Sequence, residues 1–163
     1  MKIAELLLKE LEQEAQITRK MLAIVPADKM DWQPHPKSMS LMRLTNHIAE
    51  LPGWAAMGCT TDGLDFSISK YEPTTARTAE DLIALLDEQQ AKAKAELEKA
   101  DEELLAEPWV LRNGDYVILN QTKYDTVRVA IAQTIHHRAQ LGVFLRLLDI
   151  PIPGSYGPSA DEM

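Results

Sequence analysis

Apolar residues recur at steps of three and four along most of this 163-residue chain, the spacing of one helix face. The longest such pattern runs from Lys123 to Asp149. It sets Val127, Ala130, Thr134, His137, Leu141, Phe144 and Leu148 on one side, and Pro151 and Pro153 close it. Residues 2–24 predict a first helix with Ala4, Leu8, Leu11, Ala15, Thr18 and Leu22 as its stripe, stopped by Pro26. A second begins at a Ser38 or Ser40 cap and runs to about Met57. Leu41, Leu44, Ile48 and Leu51 form its inner face, and Pro52 is a candidate kink. Thr78 caps a third helix that ends near Ala100, with Leu82, Leu86, Gln89, Ala93 and Leu97 inward. Glu80 and Asp81 in its first turn complement the helix dipole.

Between these elements the period breaks. Residues 26–38 hold three prolines and read as a loop, with Trp32 packed as a lid. Residues 58–78 form a connection long enough for a crossover, so a simple up-down-up-down order is not required. A short helical turn at 101–107 precedes two β-type runs around Asn113-Gly114, a hairpin at 109–119. The expectation is one all-α domain over residues 1–163: a four-helix bundle with a small β-hairpin insert before the last long helix.

Composition narrows the setting. No run of about 18 apolar residues exists, which argues against a membrane span. The N-terminal stretch carries acids among its leucines and reads as an amphipathic helix, not a signal peptide. A net charge of −8 argues against nucleic-acid partners and anionic membranes. One cysteine, Cys59, excludes an internal disulfide and points to a reducing, cytoplasmic home. With no basic neighbour in sequence, it reads as buried and inert. No Gly-rich phosphate loop, Ser/His/Asp set or CxxC is present.

The candidate chemistry lies in the histidines. His137 falls on the inward face, while His136 points about 100° away around the helix. His47, three residues after Leu44 and four before Leu51, borders the inner face of the second helix. Neutral imidazoles facing each other in a bundle bind Zn, Ni or Fe. Gln133, four residues before His137, offers a weaker amide oxygen. By spacing alone the metal site is a weak signal, and core histidines hydrogen-bonded to backbone or carboxylate are the favoured reading. Glu50 is either the group that orients His47, a base, or a solvated glutamate. Arg138, Gln140 and Arg146 are expected to tie the last helix to a loop or the bundle end. His35 reads as an exposed loop histidine; Trp54 and Trp109 read as core, or as walls of a ligand pocket. Val129, Ala132 and Val143 are apolar off the main stripe, which suggests a homodimer face on the last helix.

Three segments, DWQPHPKSMSLMRLTNHIAEL, IHHRAQLGVFLRLLDIPIP and SYGPSADE, resemble the DinB/YfiT-like family of metal-dependent four-helix-bundle proteins. The resemblance implies a three-histidine site, one on the second helix and a His-x-x-x-His pair on the last. His47 and His137 take two of those places, and Gln133 stands in the third. It further implies a divalent metal and transfer of a low-molecular-weight thiol to an electrophile. Gln133 leaves a second reading open: a non-catalytic member that binds a small-molecule ligand or a partner.

Overall fold

The computed structural model describes residues 2–163. Four long helices, α1 (Ile3–Leu22), α2 (Leu41–Thr60), α3 (Ala79–Leu97) and α5 (Lys123–Leu147), form the bundle. A short helix α4 (Glu102–Ala106) and three strands lie between α2 and α5. These strands are β1 (Gly63–Asp65), β2 (Pro108–Asn113) and β3 (Tyr116–Thr122).

Helix starts follow side-chain chemistry. Ser40, Thr78, Asp101 and Thr122 each accept a hydrogen bond from the backbone N–H three residues on, relieving one unpaired donor per helix. α2 continues through Pro52 to Thr60, one turn past the expected end near Met57, with Pro52 buried inside it. α2 packs against both α3 and α5, and α1 packs against the same two, so α1 and α2 stand on a diagonal. Chain neighbours α1 and α2 are therefore not packing neighbours. The 23–40 connection carries the chain across that diagonal, whereas the 61–78 connection joins the packing neighbours α2 and α3 and makes no crossover of its own.

The hairpin is present, with Gly114 at a positive φ of 59° in its two-residue loop. It is joined by a strand the sequence did not advertise. β1 pairs in parallel with β2, giving the order β1-β2-β3. Asp65 at its end accepts the Gly114 N–H at 2.9 Å and fastens the strand to the turn.

The α1 stripe is rotated from the expected one. Ala4, Leu7, Leu11, Glu14, Thr18, Met21 and Leu22 are buried, whereas Leu8 and Ala15 lie at its margin. Three consecutive leucines, Leu6 to Leu8, leave the phase undetermined by apolarity. The ion pair at Glu14 decides it. The core falls into two apolar clusters. One gathers Leu7, Leu11, Ala93, Leu97, Val127 and Ile131; the other gathers Leu22, Leu44, Ile48, Leu82, Leu86 and Leu141. In chain position, Glu14, Thr18, Thr134, His137 and Arg138, all buried, fall between the two. The histidines belong to this polar mid-layer.

Candidate functional site

α5 supplies His137 from its buried face, 9% exposed, and α2 supplies His47 from the margin of its inner face. The ring centroids lie 4.8 Å apart at an interplanar angle of 75°. An imidazole centroid sits roughly 3.2 Å from a metal bound through one nitrogen at about 2.1 Å, so two ligands of a tetrahedral ion stand about 5 Å apart. The observed pair fits that spacing. Close approach of the two helices is helped by Gly58, where a Cβ would meet the Thr126 side chain at 3.0 Å.

His137 Nδ1 lies 2.7 Å from the Gln140 amide oxygen. With that oxygen accepting, Nδ1 carries the proton and Nε2 keeps its lone pair. Gln140 thus orients the ring and makes no bond to a loop among the described residues, a role its i+3 position allowed but did not announce. Glu50 makes no hydrogen bond to His47. Its carboxylate accepts from the Tyr71 hydroxyl at 2.6 Å, the Thr74 N–H at 3.2 Å and the Thr74 hydroxyl, so it staples the 61–78 connection to α2.

Burial pushes the pKa of both rings down. For His47 the His137 charge adds to the effect and Glu50 opposes it; for His137 the Gln140 hydrogen bond opposes it. Both imidazoles are held neutral near pH 7, the state in which a ring nitrogen binds a metal. His136 packs edge-on against His137 at 4.9 Å but is itself exposed. Among the described residues no group of three His, Cys, Asp or Glu side chains converges on one point. The donor set thus fits two imidazoles of a metal site. Gln133, also exposed, joins His47 in lining a cavity of about 120 Å³ beside Trp54 and Trp109.

His47 also lines a larger cavity, about 840 Å³, between the outer face of α2 and the 61–78 connection. His137 is in the wall of neither. Trp54 borders both cavities, and Trp109 is buried with its indole N–H on the Thr61 hydroxyl at 3.0 Å. Trp32 packs edge-on against Phe144 at 5.6 Å, away from the cavities. Val129, half-buried, lines the small cavity.

The DinB superfamily model matches residues 10–141, most of the bundle. The chain belongs to the DinB superfamily. Solved DinB-like structures agree in architecture. The Bacillus subtilis protein YjoA is 21% identical over 91% of this chain and 96% of its own, with a TM-score of 0.70. A DinB-like protein of Bacillus cereus is 20% identical over 95% and 98%, with a TM-score of 0.71. Bacillus subtilis YfiT, described as a probable metal-dependent hydrolase with an unusual four-helix bundle topology, is 11% identical over 91% and 89%, with a TM-score of 0.69. No curated protein matches the chain. No helix among the described residues of this DinB protein is long and apolar enough to cross a membrane.

The remaining expected residues are structural. Arg138 pairs with Glu14 at 2.6 Å, with both side chains buried, and donates to the Tyr156 hydroxyl at 2.7 Å. Arg146 holds Asp161 through two bonds, 3.0 and 2.6 Å, and pins the C-terminal tail. His35 is exposed in its loop. Cys59 is buried, and burial raises its thiol pKa, so it is poorly reactive.

Proposed function

We propose that this DinB protein binds a divalent metal, Zn, Ni or Fe, through His47 and His137, with Gln133 as a weak third ligand or water anchor. We assign it to small-molecule transfer chemistry of the thiol-to-electrophile class. One observation carries the reading: two neutral imidazoles from distant helices meet at 4.8 Å, one of them on a ligand-sized cavity. A bound divalent ion supplies a lowered pKa to a thiol or water. The chain's own residues do the rest. Gln140 fixes the His137 ring, and Trp54 and Leu64 exclude water from one cavity wall. The Glu50 staple holds the opposite wall in place. In the thiol reaction a sulfur–carbon bond forms, the leaving group departs with its electron pair, and the thiol proton passes to solvent. YfiT's description as a hydrolase fits the same arrangement with water as the nucleophile. Exposed Val143 and Ala132 support a homodimer through the outer face of α5, and the free thiol supports a reducing compartment.

The test is elemental analysis of tag-free protein after reloading with each metal. Near one ion per chain is expected, lost in His137→Ala. Retention of the ion in that variant would refute the ligand assignment. The second reading, a metal-free ligand-binding module, is favoured by Gln133 in the third ligand position. It predicts almost no metal in the wild-type protein.

A further inference from the structure

The larger cavity has Arg43, with Met39 and Met42, at one end of its α2 wall and Trp54 with Met57 at the other. Along α2, Arg43, His47, Glu50 and Trp54 follow one another down the wall that faces the 61–78 connection. At 1.5 Å rise per residue, Arg43 lies about 6 Å from His47 along the axis, and Trp54 about 10 Å beyond it. The Arg43 guanidinium makes no ion pair with any carboxylate among the described residues, in a chain with 25 acids and 17 bases. Lys70, from the opposite wall, is likewise unpaired among them. The one carboxylate on this wall, Glu50, is already engaged by Tyr71 and Thr74. Past His47 the walls turn apolar, with Trp54, Met57, Leu64 and Phe66. Phe66 is 44% exposed, a large ring left bare at the cavity mouth.

From this arrangement we infer that the cavity takes a small amphipathic anion. Its carboxylate or other acid group meets Arg43, its apolar body lies on Trp54 and Phe66, its middle passes the His47 ring, and Lys70 on the opposite wall adds a longer-range attraction. An acidic protein whose cavity cations lack internal partners has an anion as their natural complement. Arg43 lies in the first turn of α2, so the favourable end of the helix dipole is beside it. The inference rests on the reading of His47 as the reactive edge of a ligand site, and it names the ligand class that site receives.

Isothermal titration of the full chain with octanoate, 1-octanol and octylammonium tests it. Octanoate should bind about tenfold more tightly than the alcohol, the worth of one charge-assisted contact, and the ammonium should bind weakest. Arg43→Met should erase the preference for octanoate while leaving octanol binding unchanged. Arg43→Lys should retain part of the preference, and Lys70→Met should reduce it less than Arg43→Met does. Equal affinity for the three probes, or an Arg43→Met variant with the wild-type preference, overturns the inference. His47→Ala separates it from the metal proposal. Octanoate preference persisting in that metal-free variant supports this inference whether or not the wild type holds metal. Metal loading without any octanoate preference sinks this inference alone.

Discussion

His137 and Arg138 are adjacent on α5, both buried, and their side chains have opposite fates. Arg138, 2% exposed, meets the Glu14 carboxylate, the Thr18 hydroxyl at 3.1 Å, the Glu14 carbonyl at 3.3 Å and the Tyr156 hydroxyl. Tyr156 in turn donates to Glu14 at 2.8 Å. The cluster is closed: its charge is matched and both terminal nitrogens of Arg138 are hydrogen-bonded. His137 uses Nδ1 on Gln140, while its Nε2 and both nitrogens of His47 have no hydrogen-bond partner among the described residues. None of these ring nitrogens is among the buried atoms left without a partner, so they remain accessible to solvent or a ligand. A chain that completes one cluster and leaves its neighbour's lone pairs accessible keeps them available to a ligand. Satisfaction of donors and acceptors, more than burial, separates the structural pair from the functional one.

The sharpest way to break this contrast is to cut each cluster in turn. Arg138→Met leaves the Glu14 carboxylate buried and uncompensated, which costs about 3–5 kcal/mol in urea unfolding. Replacing Glu14 and Arg138 together with apolar residues should recover most of that loss. His137→Ala in metal-free protein should cost only about 1–2 kcal/mol, an ordinary core truncation. Equal losses for the two single variants would erase the distinction. On the open side, Gln140→Leu should weaken divalent-metal affinity about tenfold in a chelator competition, because the ring loses its orienting acceptor. The metal-free fold should be little changed. Gln133→His should tighten binding by adding a third imidazole, and no change in affinity would place the metal elsewhere.

Proton linkage gives a smaller and separately located effect. The folded pKa of both His47 and His137 lies below the ordinary 6.5. The unfolded chain therefore binds more protons than the folded one once the pH drops under 6.5, and stability rises with pH there. Metal-free protein should hold its full histidine contribution above about pH 6.5. It should lose that contribution on acidification through the folded values. His47→Leu combined with His137→Leu should flatten this limb. The carboxylates act in another window. Arg146 and the Ile152 N–H bring Asp161 down to about 2, and Thr122 lowers Asp125, so their contribution is lost only as pH falls below the usual 3.8. A histidine double variant that keeps its slope near pH 6 would show that other groups carry it.

Periodicity made the helices legible because each long helix carries a stripe that must be buried. The α5 stripe matched from Val127 to Leu141, and with it the placement of His137. The α1 stripe was misphased because Leu6, Leu7 and Leu8 give no apolar contrast, and the deciding residue, Glu14, is a charge that only its distant partner Arg138 makes tolerable inside. β1 is three residues long and exists through pairing with β2, some 45 positions later, a contact no local pattern encodes. The His47–His137 meeting followed from two inward faces. The Glu50–Tyr71 bond did not, because a carboxylate on a helix margin reads as solvated until a loop folds over it.

Gln90 supplies the smallest and cleanest control on the contrast. It sits on α3 between Leu86 and Ala93, in chain position between the two apolar clusters, and both its amide nitrogen and oxygen are buried without a partner. It lines none of the cavities described above. Unlike the ring nitrogens of the two histidines, its open valences are sealed from solvent, and an amide binds metals poorly. If unspent polar groups mark function only where chemistry and access coincide, Gln90 is pure cost. Gln90→Leu should then raise stability by up to about 1 kcal/mol, since removing an unpaired buried amide recovers its desolvation penalty. Metal content and octanoate affinity should stay at wild-type values. A destabilised variant with wild-type metal content would mean the amide is satisfied in solution. A variant with altered metal or ligand binding would extend the functional layer across the bundle to α3.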